Sequence, residues 1–201
     1  MVTVTECTTL GKGRLRFHLD NGTELVLYRG EAKQFRMREG STLSDEEEHQ
    51  LIYEVVGKRA KRRTMHLLEQ MDRTEQQLRD KLKQGGYPQA CIDLALEYVK
   101  SFHYVDDYRY ACTYINYRQD RMSRYQLKVK LYGKGVSGEL VDRALEECYE
   151  GDEQDQIIRL LEKKKFDAQN SDQKEFTRVY QYLMRRGFRS NDVLHAMKSK
   201  Q

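Results

Sequence analysis

Tryptophan is absent from the 201 residues and proline occurs once, at Pro88. No stretch approaches the roughly 18 consecutive apolar residues that a membrane-crossing helix needs. The N-terminus has no basic region followed by an apolar run, so no secretory leader is expected. The histidines form no HxxxH or HExxH pattern, and the glycines form neither a phosphate-binding loop nor a dinucleotide fingerprint. No GxSxG elbow supplies a nucleophile. Nothing in the chain therefore argues for an enzyme, a cofactor or a bound metal. Cys7, Cys91, Cys112 and Cys148 show no CxxC spacing and no histidine at metal-ligand distance. The last three lie beside apolar residues in helical stretches and read as small buried hydrophobes, which implies a reduced, cytoplasmic protein.

Apolar residues are also scarce, at 38% against 34% charged, so one thick core is not expected and small modules covered by amphipathic helices fit better. The charge is unevenly placed. Residues 1–57 carry 7 basic and 10 acidic side chains, whereas the remainder carries 29 and 22, so an overall +4 hides a helical part at +7. Such a surface favours an acidic partner, such as DNA or a protein wrapped around DNA, although a solvated surface would look the same.

The first segment reads as strands. Val2 to Thr5 alternates, Arg14 to Leu19 alternates cleanly, Asp20-Asn21-Gly22 supplies a turn, and Glu24 to Tyr28 resumes the apolar run. Glu31 to Arg38 predicts a short helix ended by Gly40. Ser44, with Glu47 three residues on, is a capping box that opens a helix through Val56. A lone hairpin is marginal in water, so this cap should pack on that helix or on a partner.

From Lys58 the chain repeats itself. Thr74, Gln77, Leu78, Lys81, Leu82, Gly86, Ile92, Ala95 and Leu96 recur 49 residues later as Ser123, Gln126, Leu127, Lys130, Leu131, Gly135, Val141, Ala144 and Leu145. Each copy has a hydroxyl cap, an i, i+4 leucine pair, a glycine where the helix must end left-handed, and a second amphipathic helix. Helices upstream, Lys58 to Met71 and Asp107 to Met122, complete two three-helix units. A third copy lies at offset 101: Val179, Leu183, Gly187, Phe188, Val193, Ala196 and Met197. Its first helix should span about 154–165, followed by a loop over 167–172, and Glu175 stands where the capping hydroxyl was, which predicts a weaker start. The expected architecture is mostly α. It has three tandem three-helix repeats in an elongated array (58–105, 106–151 and 152–201), preceded by a small β-hairpin-containing segment, 1–57.

Candidate binding residues are basic. Lys58, Arg59, Lys61, Arg62 and Arg63 fall within six positions, as a phosphate-contacting face or as a solvated one. Lys81, Lys83, Lys128, Lys130 and Lys134 recur across two units, and Lys163, Arg185 and Arg186 extend the pattern to the third. Lys81 and Arg185 could instead complement helix C-termini. Asp106-Asp107 reads as a helix cap rather than a catalytic pair, because adjacent helical side chains diverge. Tyr110, Tyr114 and Tyr117 share one helical face and read as core in preference to a base-stacking platform.

Taken together, several stretches resemble the RecX family of bacterial recombinase regulators. Tyr104-Val105-Asp106-Asp107-Tyr108-Arg109-Tyr110-Ala111 is similar to its aspartate-aspartate signature. Arg73-Thr74 through Leu78, Lys81, Leu82 and Gly86 resembles its first-repeat motif, and Tyr182 to Phe188 its C-terminal motif. Phe102-His103 and Glu175 depart from the pattern. The resemblance implies repeats lying along the groove of the RecA–DNA filament and modulating its ATPase, strand-exchange and co-protease activities, usually by inhibition, in DNA repair and the SOS response. It implies a non-enzymatic regulator that binds a protein filament and leaves direct DNA contact open; a repeat array needs no self-association, so a monomer is expected. The rival reading is a helical module that binds DNA with no recombinase partner.

Overall fold

The computed structural model describes residues 1–199, so the last two positions of the third repeat lie outside the described residues. The hairpin forms where alternation placed it. β2 (Arg14–Leu19) and β3 (Glu24–Tyr28) pair antiparallel, with Leu15 opposite Leu27 and Phe17 opposite Leu25. Phe17, Leu19, Leu25 and Leu27 are buried, as a period-two strand over a core requires. β1 runs Val2–Gly11, longer than the alternation suggested, and pairs with β2. A short β4 (Thr42–Leu43) completes a sheet of order β3-β2-β1-β4. Two residues cannot display a period, so β4 left no mark in the sequence.

α1 (Arg29–Gln34) starts two residues before Glu31, because the Glu31 carboxylate turns back to accept the Tyr28 amide at 2.8 Å. It ends well before Arg38, with Arg36 in the left-handed region at φ 52°. At Ser44 the predicted reciprocal cap is present: the hydroxyl accepts the Glu47 amide at 3.1 Å, and the Glu47 carboxylate accepts the Ser44 amide at 2.8 Å. The helix it opens does not stop at Val56. α2 (Asp45–His49) passes through a π-helical stretch, Gln50–Val56, directly into α3 (Gly57–Gln70). The wider π turn leaves the Ile52 carbonyl accepting both the Gly57 amide and the buried Cys91 thiol, the latter at 3.2 Å. A Cβ on Gly57 would lie 2.8 Å from Leu94 Cδ2, so this glycine lets α3 approach the helix that carries Leu94.

α4 (Glu75–Gln84) and α5 (Gln89–Ser101) complete the first repeat. Sheet and repeat share one core, in which Phe17, Leu25 and Leu27 meet Leu51, Val56, Leu78 and Leu96. That is how a small hairpin escapes being marginal: the strands bury their apolar face on the first repeat. The second repeat is α6 (Asp107–Arg118), α7 (Arg124–Tyr132) and α8 (Gly138–Cys148) around Ile115, Leu127, Leu131 and Val141. The third is α9 (Glu153–Lys163), α10 (Gln173–Arg185) and α11 (Ser190–Ser199) around Ile157, Leu161, Leu183 and Val193. By packing, the chain falls into two compact units, Met1–Asp106 and the part from Asp107 onward. The protein is thus mostly helical, with three three-helix repeats behind an antiparallel strand segment.

Four local expectations need correction. α6 ends at Arg118 rather than Met122, because the carbonyl of the next residue, Gln119, accepts from the Gln156 side chain at 2.6 Å and the Gln119 side chain accepts the Glu150 amide at 2.7 Å. Tyr117, placed in the core by its spacing, is 82% exposed, while Tyr110 and Tyr114 are half-buried and stacked. The third repeat does not start weakly: Asp172, three residues upstream of Glu175, accepts the Glu175 amide at 2.7 Å and caps α10. Finally, Cys112 and Cys148 are not inert thiols. They form a disulfide joining α6 to α8, with Cα atoms 5.6 Å apart, whereas Cys91 is the buried hydrophobe expected. Burial pushes the Cys91 thiol up to about 12, so it stays protonated.

Candidate partner-binding surface

The basic run of α3 divides by helical phase. Lys58, Arg62 and Arg63 are exposed and have no carboxylate partner among the described residues. Arg59 is turned inward. Its guanidinium bonds the Glu31 carboxylate and the Val26 carbonyl and lies 5.1 Å from the Tyr28 ring and 5.4 Å from the Tyr87 ring. Arg59 therefore fastens α1 and β3 onto the first repeat and is unavailable to a partner. The planar fork suits this double duty, bonding in its plane and stacking above and below it.

Lys61 sits 5.1 Å from the ring of Tyr98, and with Lys58, Arg62 and His66 it borders a shallow depression of about 570 Å³. Beyond Tyr98 the rings continue, Phe102 at 5.1 Å and then Tyr104 stacked on Phe102 at 5.7 Å, all three exposed. Aromatic rings beside cations form the kind of surface on which bases stack over a neutralised backbone.

In the second repeat Lys130 is exposed, but two neighbours are engaged. Lys128 pairs with Asp142 at 2.5 Å, and that hydrogen bond holds its ammonium above the usual lysine range. Lys134 lies 5.8 Å and 5.2 Å from the rings of Tyr110 and Tyr114. Lys81 and Lys83 in the first repeat, and Lys163 and Arg185 in the third, are exposed. Arg186 is half-buried, its guanidinium 4.9 Å from the Tyr182 ring.

Other charged groups tie helices together. Arg79 bridges Glu75 at 3.0 Å and Asp93 at 2.6 Å, and Lys100 reaches Glu75 at 2.8 Å, so α4 and α5 are linked through their charges. The Lys100 hydrogen bond, followed by that of Arg79, holds the Glu75 carboxyl below the ordinary range. A cleft of about 700 Å³ beside the β2–β3 turn is bordered by Glu24, Asp45 and Glu48, which disfavours a polyanion. Among the described residues no group of three or more His, Cys, Asp or Glu could hold a metal, and no helix is long and apolar enough to cross a membrane.

Two arginines emerge that module spacing did not single out. Arg121 and Arg159 line a depression of about 440 Å³ in the second unit together with Lys163 and Arg186. Arg121 follows the shortened α6 and Arg159 lies within α9, and neither stood among the candidate cations; tertiary packing brings them together.

Three small three-helix modules in tandem behind an antiparallel strand segment define a class of helical-repeat protein. Residues 60–98 match the first three-helix domain of RecX, 106–145 the second and 151–197 the third, in that order along the chain. The chain belongs to the RecX family, and its role is regulatory in the RecX sense. It is 29% identical over 163 residues to the regulatory protein RecX of Caldanaerobacter subterraneus subsp. tengcongensis, covering 80% of each chain. It is 25% identical over 209 residues to that of Clostridium acetobutylicum, covering 98% of this chain and 94% of the relative. A crystal structure of regulatory protein RecX superposes with a TM-score of 0.66 at 20% identity, over 99% of this chain and 100% of the other, a likeness of fold.

Proposed function

We propose that this protein is a cytoplasmic, monomeric regulator, most simply an inhibitor, of a RecA-type recombinase. It acts without catalysis, by binding the groove of the recombinase–DNA filament through the basic faces of its three repeats. In this role it modulates the filament's ATPase, strand-exchange and co-protease activities during DNA repair and the SOS response. The observation that carries the reading is the recurrence of exposed, unpaired cations on all three modules: Lys58, Arg62, Arg63, Lys81 and Lys83 on the first, Lys130 on the second, Lys163 and Arg185 on the third. A filament repeats along its axis, and a protein that repeats its charge can meet it at several places at once. A binder with higher affinity for one filament conformation shifts the population towards it, which requires no chemistry.

The test is the single-stranded-DNA-dependent ATPase rate of the cognate recombinase, titrated with this protein and with a variant carrying Arg62→Ala, Arg63→Ala, Lys130→Ala and Lys163→Ala. Arg59 and Lys128 are left intact because both are tied into the fold. A dose-dependent fall in rate, weakened in the variant, supports the reading. No change at saturating protein, with tight salt-sensitive binding to bare DNA, would favour a DNA-binding module instead, for which the exposed Tyr98, Phe102 and Tyr104 rings are the specific support.

A further inference from the structure

The depression between the end of α6, the middle of α9 and the end of α10 is set apart by its charge. Arg121, Arg159, Lys163 and Arg186 surround it, against a single lining carboxylate, Asp120. Arg121 and Lys163 have no carboxylate partner among the described residues, and Arg159 has one exposed partner, Asp155, at 3.4 Å. Helix ends account for part of this, since Lys163 and Arg186 stand at the C-termini of α9 and α10, where the dipole favours a cation. They do not account for Arg159, which lies a turn inside α9, nor for four positive side chains gathered around one concavity. Like charges brought together in this way repel one another unless an anion joins them.

The lining of the depression adds an independent observation. Gln156 is 5% exposed and is held in place because its Nε2 donates to the Gln119 carbonyl at 2.6 Å. That bond fixes which end of the carboxamide is oxygen, and the Oε1 atom has no hydrogen-bond partner. That orphaned oxygen is itself buried, so it belongs to the fixed wall of the depression. The backbone beside it is fixed as well, for the Arg186 carbonyl accepts the Ser123 hydroxyl at 2.6 Å. The site is therefore built on pinned backbone, with three guanidinium groups whose forks suit phosphate oxygens.

We propose that this depression is a phosphate-binding site, taking the phosphate of a nucleotide unit. The phosphate belongs either to a single-stranded nucleic acid or to a free nucleotide. The site lies wholly within the second compact unit and does not depend on a recombinase partner.

The full chain is tested as Arg121→Gln with Arg159→Gln, both exposed positions, beside a control of equal charge loss at exposed lysines of the first unit outside the proposed binding face, Lys12→Gln with Lys33→Gln. Circular dichroism verifies the fold of both. Anisotropy of a labelled oligothymidylate and calorimetry with ATP and with pyrophosphate read the binding. A loss of about tenfold or more in the first variant alone, with the salt slope reduced by roughly 0.7 for each phosphate contact removed from a single strand, supports the site. Loss confined to the oligonucleotide assigns the phosphate to nucleic acid, and loss confined to ATP and pyrophosphate assigns it to a free nucleotide. Equal losses in both variants, no loss in either, or binding of polyglutamate but of no phosphate ligand would overturn the proposal. The recombinase ATPase of the same variants is scored separately: regulation that survives in a variant without phosphate binding leaves both readings standing, whereas phosphate binding untouched by the substitutions overturns this inference and leaves the proposed function standing.

Discussion

The Ser123 hydroxyl donates to the Arg186 carbonyl at 2.6 Å while accepting the Gln126 amide at 3.2 Å. One fully buried side chain thus starts a helix of the second repeat and holds the turn that ends a helix of the third. Beside it, a Cβ on Gly187 would fall 2.2 Å from Tyr125 Cδ1, in a residue whose φ of +78° already disfavours side chains. Ser123→Ala should remove the cap and orphan the carbonyl, about 2 kcal/mol in all. Ser123→Thr, which keeps the hydroxyl, should lose less than half of that. Urea unfolding of the full chain measures both, and equal midpoints for the two variants would show that the hydroxyl does not couple the repeats.

A related arrangement joins the sheet to the first repeat. The Val26 amide donates to the Gly86 carbonyl at 3.1 Å, and a Cβ on Gly86 would lie 2.3 Å from Val26 Cγ2, with φ at +76°. Gly86→Ala should loosen the cap by about 2 kcal/mol, combining backbone strain with the clash. Adding Val26→Ala relieves only the clash, so the double variant should recover part of the loss. Hydrogen exchange at the β2 and β3 amides reports the opening, and unchanged protection in Gly86→Ala would refute the coupling.

Arg59 and its neighbours in sequence should separate cleanly. Its side chain is 19% exposed and that of Glu31 is 20% exposed, so Arg59→Ala strands a mostly buried carboxylate and should cost about 3 kcal/mol. Arg62→Ala and Arg63→Ala, on the exposed side, should stay within about 0.5 kcal/mol of the parent. Thermal melts decide it: three similar small shifts would mean that Arg59 does not fasten the cap.

The Cys112–Cys148 disulfide closes a stretch of 36 residues that contains all of α7. By chain-entropy reasoning such a closure stabilises by about 3–4 kcal/mol. The oxidised protein should therefore resist urea more than the same protein in reductant, and Cys112→Ser should abolish that difference. If reductant moves the midpoint of the parent no further than that of the variant, the bridge contributes nothing in solution.

Much of the architecture was legible in the chain. The hairpin, the Ser44 cap and the three modules each rest on a local device: a period of two, a hydroxyl three residues ahead of a glutamate or glutamine, a glycine after an i, i+4 leucine pair. Such signals act over a few residues and survive without any knowledge of the fold. The partner-facing cations were less legible, because helical phase alone does not say which side a neighbouring element will cover. Arg59 and Arg62 are three residues apart in one basic run, yet the sheet that packs on α3 buries one and leaves the other in water.

The sequence by itself determined the repeating three-helix unit, its caps and its leucine seams, since these follow from backbone hydrogen bonding and side-chain periodicity within each segment. Only the tertiary structure decided which distant residues meet: Cys112 with Cys148, Ser123 with Arg186, and Arg121 with Arg159 around Gln156. Those meetings depend on how the helices of neighbouring repeats pack, a long-range outcome of many small burial energies that no single stretch of sequence encodes.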